Sequence, residues 1–333
     1  MTPQAIAAIF ATALLLPSSL RAQAPDVPIE SNEPLMLNEA LLEKAKVLRE
    51  SGKLLTKEKI AGLLQSPVPA ALTLPEPNTK PLAGREIAER ARKGYLRLGW
   101  YYLCPRCDHW HLDLAGAYAI SGDGAATCHH VVAPERDMRE GYLIAVDHAG
   151  SVLPVTGILA KSQTMDAAIL RIEGGEFSPL PLNDQVAPGD PAFCFSDPLG
   201  QLGYLSRGIV NRFYKNARTT AAPGSLDELK RLRVNVSTDW APGSSGAAVL
   251  DECGNAIGHV STISPLAEDE GKPAAPPAGA KRGKAKAEKA APSRFNGTTL
   301  ITLHEAVPAR SVMALIRTMN EAAAKAAAEK PAQ

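Results

Sequence analysis

The chain has 333 residues, 45% of them hydrophobic, enough for one large domain or two ordinary ones with real cores. Its 36 Lys and Arg against 35 Asp and Glu leave a formal charge of +1, so no global field draws it to nucleic acid or to an anionic membrane. Five cysteines are an odd number, which leaves at least one thiol unpaired within a monomer.

The chain opens on an apolar run from Ala5 to Leu16, followed by Pro17-Ser18-Ser19 and the small-x-small pattern Ala22-Gln23-Ala24. The run is shorter than the roughly 18 apolar residues expected of a membrane span. Residues 1–24 therefore read as a secretory signal cleaved after Ala24, although no Lys or Arg precedes the apolar run. The mature chain is expected to be periplasmic or secreted, with no stable membrane insertion after cleavage. Residues 25–93 read as a helical extension with a Pro-rich linker. Leu37, Leu41, Ala45 and Leu48 recur at helical spacing and predict an amphipathic helix ending near Gly52. Thr56 is the N-cap expected for a second helix, with Ile60, Leu63 and Leu64 on one face and Pro67 and Pro69 to stop it. Leu74 to Pro81 reads as a linker, and Arg85 to Arg92 as a further short helix.

From Tyr95 the pattern changes to short strands: 95–103, 111–120, 142–147, 152–159, 168–172, 192–195, 206–212, 232–237, 247–250 and 257–263. Many short strands separated by turn residues predict an all-β sandwich or a pair of barrels. Residues 265–294 carry Pro, Ala and Gly with seven Lys or Arg against four acids, and read as a flexible basic surface insertion. No aromatic side chains interleave those charges to stack on bases. A strand from Thr298 to His304 follows. Pro308 then opens a helix carrying Val312, Leu315, Ile316 and Met319, and residues 321–333 are expected to be a disordered tail.

Three segments carry chemistry: Thr127-Cys128-His129-His130, Asp166-Ala167-Ala168-Ile169-Leu170 and Gly243-Ser244-Ser245-Gly246. A serine hydroxyl needs an adjacent imidazole to take its proton, and the imidazole needs a carboxylate to hold one tautomer and to balance its charge. A serine flanked by glycines lets the backbone turn tightly and aim two N–H groups at one point. The order His, Asp, Ser argues against α/β-hydrolases, in which the histidine comes last.

These segments, with Ser121-Gly122-Asp123-Gly124, Asp197-Pro198-Leu199-Gly200 before Gly208-Ile209-Val210, and Thr238-Asp239, resemble the chymotrypsin-like serine peptidases. Within that family they are most similar to the bacterial HtrA/Deg-type and glutamyl-endopeptidase-type branch, without a PDZ domain. The resemblance runs from about Gly94 to about Met319 and implies a peptidase domain over 94–320. Its fold would be two six-stranded antiparallel β-barrels with a C-terminal helix behind an N-terminal helical extension. It implies a serine endopeptidase that acts on peptide or protein substrates through an acyl-enzyme and needs no cofactor. His130 would be the base, with His129 as its rival, Asp166 the carboxylate, and Ser245 the nucleophile in preference to Ser244. The amides of Gly243 and Ser245 would form the oxyanion hole. Ala247 and Ala248 depart from the Gly and Pro of many relatives, and Ser244 stands where trypsin-like zymogens carry the aspartate of their activation switch.

For substrate binding the resemblance points to Asp239, six residues before Ser245, and to Val260 and Ser261 on the strand that would pair with substrate backbone. Asp239 has a second reading, as a carboxylate that structures its loop. His259 is one residue out of register for a side chain that reads glutamate, hence on the other face of its strand. Cys104-Pro105-Arg106-Cys107-Asp108-His109-Trp110-His111 lies outside the family pattern. Cys104, Cys107, His109 and His111 are candidate ligands of a structural zinc, the cluster supplying three and Cys128 a candidate fourth from elsewhere, while a local disulfide across the hairpin is the competing reading. Two alternatives to a serine peptidase follow: an inactive protease-like binding module, and a metal-dependent hydrolase built on this cluster with His129.

Overall fold

The computed structural model describes residues 38–133, 137–175, 178–215, 220–267 and 299–329. The expected signal segment, residues 1–24, and residues 268–294 of the expected basic insertion lie outside these residues.

Two closed antiparallel barrels form the body of the protein. The first runs β1 (Tyr95–Leu103), β2 (Trp110–Ala119), β3 (Gly124–Thr127), β4 (Glu140–Val146), β5 (Val152–Ser162) and β6 (Ala167–Ile172), in spatial order β1-β2-β3-β6-β5-β4. The second takes β7 (Pro191–Ser196), β8 (Tyr204–Lys215), β9 (Leu232–Val236), β10 (Ala248–Leu250), β11 (Ala256–Ala267) and β12 (Thr299–Pro308), in the order β10-β11-β12-β9-β8-β7. Closure leaves neither sheet with an edge, which is how short strands avoid templating aggregation. The expected two-barrel fold is therefore present. β3 is the strand the sequence reading missed: its four residues are all buried, so it shows no alternation of apolar and polar positions.

Leu98, Leu143, Val155, Ile158 and Leu170 fill the first barrel, whereas Val210, Val234, Val249 and Ala306 of the second belong to one cluster with Tyr118, Ile120 and Ile169 of the first. The first two N-terminal helices pack on the first barrel. Helix α1 (Glu39–Glu50), capped by the Asn38 side chain on the Leu41 amide, buries Leu41 and Ala45 against Tyr101, Leu112 and Ile144. Helix α2 (Lys57–Gln65) starts at Thr56, as expected, and sets Ile60 and Leu64 beside Leu96 and Leu98. Helix α3 (Gly84–Gly94) leads directly into β1. The Pro-rich stretch before α3 is clamped to the body: the Asn255 side chain accepts from the Asn78 amide at 2.7 Å and donates to the Asn78 carbonyl at 2.9 Å.

Three boundaries differ from expectation. β11 continues to Ala267 and β12 resumes at Thr299, so the start of the expected insertion is hairpin. The C-terminal helix runs from Ala309 to Ala328, and residues 321–328 are helical rather than a disordered tail; Ala, Lys and Glu are strong helix formers and extend a helix already nucleated by packing. Its buried face is Val312, Leu315, Ile316 and Met319, as the spacing predicts. Two short helices, α4 (His129–Val132) and α5 (Leu226–Leu229), interrupt the loops.

Candidate active site

His130 lies on α4, one step beyond β3, and Asp166 is the last residue before β6; β3 and β6 are paired neighbours. Strand pairing thus brings together residues 36 positions apart. His130 Nδ1 is 3.0 Å from both carboxylate oxygens of Asp166, and the His130 amide donates to Oδ1 at 3.2 Å. With Nδ1 on the carboxylate, Nε2 is turned to the opposite side of the ring. His130 and Ser245 line one cleft of about 390 Å³ with Trp100, Asp113, Ala115, Val131 and Ala133. Among the described residues no hydrogen bond joins the Ser245 hydroxyl to the ring; such catalytic contacts tighten when substrate enters.

Asp166 is held by more than its neighbour. The Ser261 hydroxyl donates to Oδ2 at 2.7 Å, and the buried His259 ring bonds the Asp166 carbonyl through Nε2 at 3.0 Å. Burial would raise the carboxyl pKa, but hydrogen bonds from the His130 ring, Ser261 and the His130 amide outweigh it and hold the group ionised well below the ordinary range. Asp166 adopts φ +64°, a left-handed conformation that non-glycine residues seldom take, and the surrounding hydrogen bonds fix it there.

The serine loop is wedged between the barrels. Gly116 of β2 donates to the Ser245 carbonyl at 2.7 Å, and Gly246 donates to the Val260 carbonyl at 2.8 Å. Gly246 has φ +83°, and a Cβ there would collide with the Gly116 carbonyl and the Thr127 hydroxyl. Gly243 has φ +100°, and its missing Cβ would stand 2.8 Å from the Asp197 carbonyl oxygen. Among the described residues the amides of Gly243 and Ser245 donate to no protein acceptor, while those of Ser244, Gly246 and Ala247 are all engaged. Two unengaged N–H groups flanking a serine are what an oxyanion hole requires. Ser244 is fully buried and receives a hydrogen bond from Ser196 at 2.9 Å, a structural position. Ala247 is buried with its carbonyl on the Val260 amide, and a Cβ at Gly116 would press on it, so the small residues after the serine suit the barrel contact.

Several residues take places the sequence reading did not give them. Ser261 sits at a bulge in the β11–β12 ladder and spends its hydroxyl on Asp166, so its side chain supports the carboxylate. Val260 is buried, and its carbonyl accepts from Gly246 and from the Cys128 thiol. Asp239 has an exposed carboxylate, and its backbone N–H and C=O both bond the Ser206 hydroxyl at 3.0 Å, in keeping with a loop-structuring place. His259 lies on the inner face, as its register predicts.

Asp197 is the residue the sequence reading undervalued. It is 4% exposed, binds Arg97 through Nε at 2.6 Å and Nη2 at 3.2 Å, and accepts from Tyr95 at 3.2 Å and from the Gly203 amide at 2.7 Å. This ties β1 of the first barrel to the loop on which Gly243 rests. Asp197-Pro198-Leu199-Gly200 was visible as a motif, but nothing local identifies Arg97, 100 positions earlier, as its partner.

Two groups of side chains could hold a metal. Cys128, His130 and Asp166 have donor atoms within 4.8 Å, but burial, and then Asp166, push the Cys128 thiol pKa well up, and a protonated thiol is no ligand. Cys104, Cys107 and His111 form the second group. Cys128 and His129, just beyond β3, are not in this group, and neither is the exposed His109, so the ligand set expected of a metallohydrolase is not assembled among the described residues. All five cysteines are free thiols.

The buried His259 ring gives a pH prediction. Burial is the largest cause pushing its pKa from 6.5 to about 4, with Arg233 and His130 lowering it further against Asp166. Because the folded value is depressed, the unfolded ring binds its proton first as pH falls. Its contribution is fully present above 6.5 and is lost as pH falls toward about 4, on the order of 3 kcal/mol in all. Urea unfolding at neutral and acid pH should therefore show a stability slope through this window that flattens in His259→Gln; an unchanged slope would remove His259 from the acid response.

Comparison with known proteins agrees with the fold. A family model described as a trypsin-like peptidase domain matches residues 116–258, from β2 into β11, and includes His130, Asp166 and Ser245. Serine protease PepD of Mycobacterium tuberculosis is 28% identical over 125 residues, which is 36% of this chain. The chain spans about a quarter of that relative's length, 26%. Residues 116–258 are thus similar to a trypsin-like peptidase domain, in agreement with the two closed barrels.

Proposed function

We propose that the protein is an exported serine endopeptidase that cleaves peptide bonds through an acyl-enzyme. The observation that carries this reading is the His130–Asp166 pair facing the same cleft as Ser245, beside two unengaged amides. Ser245 Oγ attacks the scissile carbonyl carbon while His130 Nε2 takes its proton. Asp166, kept ionised, holds Nδ1–H and stabilises the imidazolium. The carbonyl oxygen gathers negative charge and is received by the Gly243 and Ser245 amides; losing one such donor costs about a hundredfold to a thousandfold in rate. Collapse of the tetrahedral intermediate expels the amine, which takes the proton from His130 and leaves an ester on Ser245. Water, deprotonated by His130, then hydrolyses the ester and restores the hydroxyl. No step calls on a cofactor.

The bulge at Ser261 leaves its backbone outside the β11–β12 ladder, where an extended substrate could pair. Export rests on the apolar run and the Ala22-Gln23-Ala24 pattern; no helix among the described residues is long and apolar enough to cross a membrane. Hydrolysis of an unbiased peptide library by the wild-type chain, absent in Ser245→Ala, is the expected result. Equal cleavage by the two would overturn the assignment, and no cleavage by either would favour a binding module.

A further inference from the structure

We propose that Cys104, Cys107 and His111 form a binding site for a soft divalent cation, zinc by its ligand chemistry, on the turn between β1 and β2. The site stands apart from the cleft, none of whose lining residues it shares.

The three donor atoms lie within 4.8 Å of one another, and Cys107 Sγ is 3.0 Å from His111 Nε2. Zinc takes sulfur at about 2.3 Å and imidazole nitrogen at about 2.0 Å, so tetrahedral ligands stand about 3.5–3.8 Å apart. The cluster therefore needs only a small opening of the Cys107–His111 pair to seat the ion. The turn is already shaped for it. The Cys104 amide donates to the His109 carbonyl at 3.0 Å, the Asp108 amide donates to the Cys104 carbonyl at 3.3 Å, and Asp108 takes the left-handed conformation at φ +55° that lets the chain reverse. That reversal points the amides of Arg106 and Cys107 at the Cys104 sulfur, the arrangement that orients a ligating sulfur in such a turn. Two thiolates and an imidazole suit zinc and exclude the hard cations, which want oxygen. Cys107 is exposed, so the fourth position opens to water.

The placement suggests a purpose. The strands leaving this turn pair Trp100 with Asp113, and both line the cleft that His130 and Ser245 share. An ion clamping the tip would stiffen the hairpin that forms one wall of that cleft. A disulfide between Cys104 and Cys107 would consume the same sulfurs and leave His111 idle, so the two readings exclude each other.

The test uses the full chain, purified without chelator and titrated with Co2+. The expected result is about one equivalent bound, with the visible bands of tetrahedral cobalt and a sulfur-to-metal charge-transfer band. That spectrum should vanish in Cys107→Ser, weaken at least about tenfold in affinity in His111→Asn, and persist in Cys253→Ser, whose thiol lies outside the cluster. Circular dichroism checks that each variant is folded. Should the substitutions unfold the chain, alkylation of the wild type answers instead: zinc should protect Cys104 and Cys107, and a chelator should release them. A Cys104–Cys107 disulfide in the intact mass, a cobalt spectrum indifferent to Cys107→Ser, or thiols that zinc does not protect would each overturn the site.

Discussion

Asp166→Asn is expected to lower kcat by about four orders of magnitude while leaving KM within a few-fold, the effect of an imidazole held in the wrong tautomer. The amide offers Nδ1 an N–H where the carboxylate offered an acceptor. His130 would then carry its proton on Nε2, where it can no longer accept from Ser245. The carboxylate is well defined for this role, because two His130 donors and the Ser261 hydroxyl converge on it and burial keeps competing water away. Ser261→Ala provides the graded control: it removes one of those donors and should cost activity by about tenfold, as expected for one supporting hydrogen bond. Steady-state kinetics on one cleavable peptide would check both. A fall of less than about tenfold in Asp166→Asn would mean that the imidazole is oriented by something else.

The second large effect belongs to Arg97. Removing the guanidinium in Arg97→Ala leaves the Asp197 carboxylate buried without its cation, and such losses cost about 3–5 kcal/mol. Asp197 also holds the Gly203 amide, and its carbonyl lies against Gly243, so the damage should reach the oxyanion loop. The Leu199 amide bonds the Pro242 carbonyl at 2.7 Å, a second tie along the same path. Chemical denaturation should show the loss of stability, and in conditions where the variant stays folded kcat should fall more than KM rises. Unfolding within about 0.5 kcal/mol of wild type, with unchanged kcat, would reduce the pair to a surface contact. The segment on which Gly243 rests is thus braced by an internal arginine.

Much of this was legible in the chain, for physical reasons that also mark where legibility stopped. Strands with an alternating or apolar face, such as Tyr95–Leu103, announce themselves, and the boundaries of that strand were read correctly. β3 was invisible because four small buried residues carry no period. The stretch around Asn78 looked like a linker because its proline content is local, whereas the Asn255 side chain that clamps it is 177 residues away. His130, Asp166 and Ser245 were named from local wording, and the fold sets the first two in contact and the third in their cleft. What supports them was not readable. The bond from the Ser261 hydroxyl to Asp166 is one of these, because a strand position does not say which way a bulge turns a side chain. Arg97, His259 and Asp197 act across distances in sequence at which a pattern carries no information.

The account stands on a proton passing from the Ser245 hydroxyl to His130. Reaction of the folded chain with a fluorophosphonate, followed by mass mapping of the adduct, tests that most directly. Labelling confined to Ser245, and slowed by at least about a hundredfold in a folded His130→Ala variant, is the predicted result. A wild-type chain that takes no label at Ser245, or one that labels equally fast without His130, would contradict it.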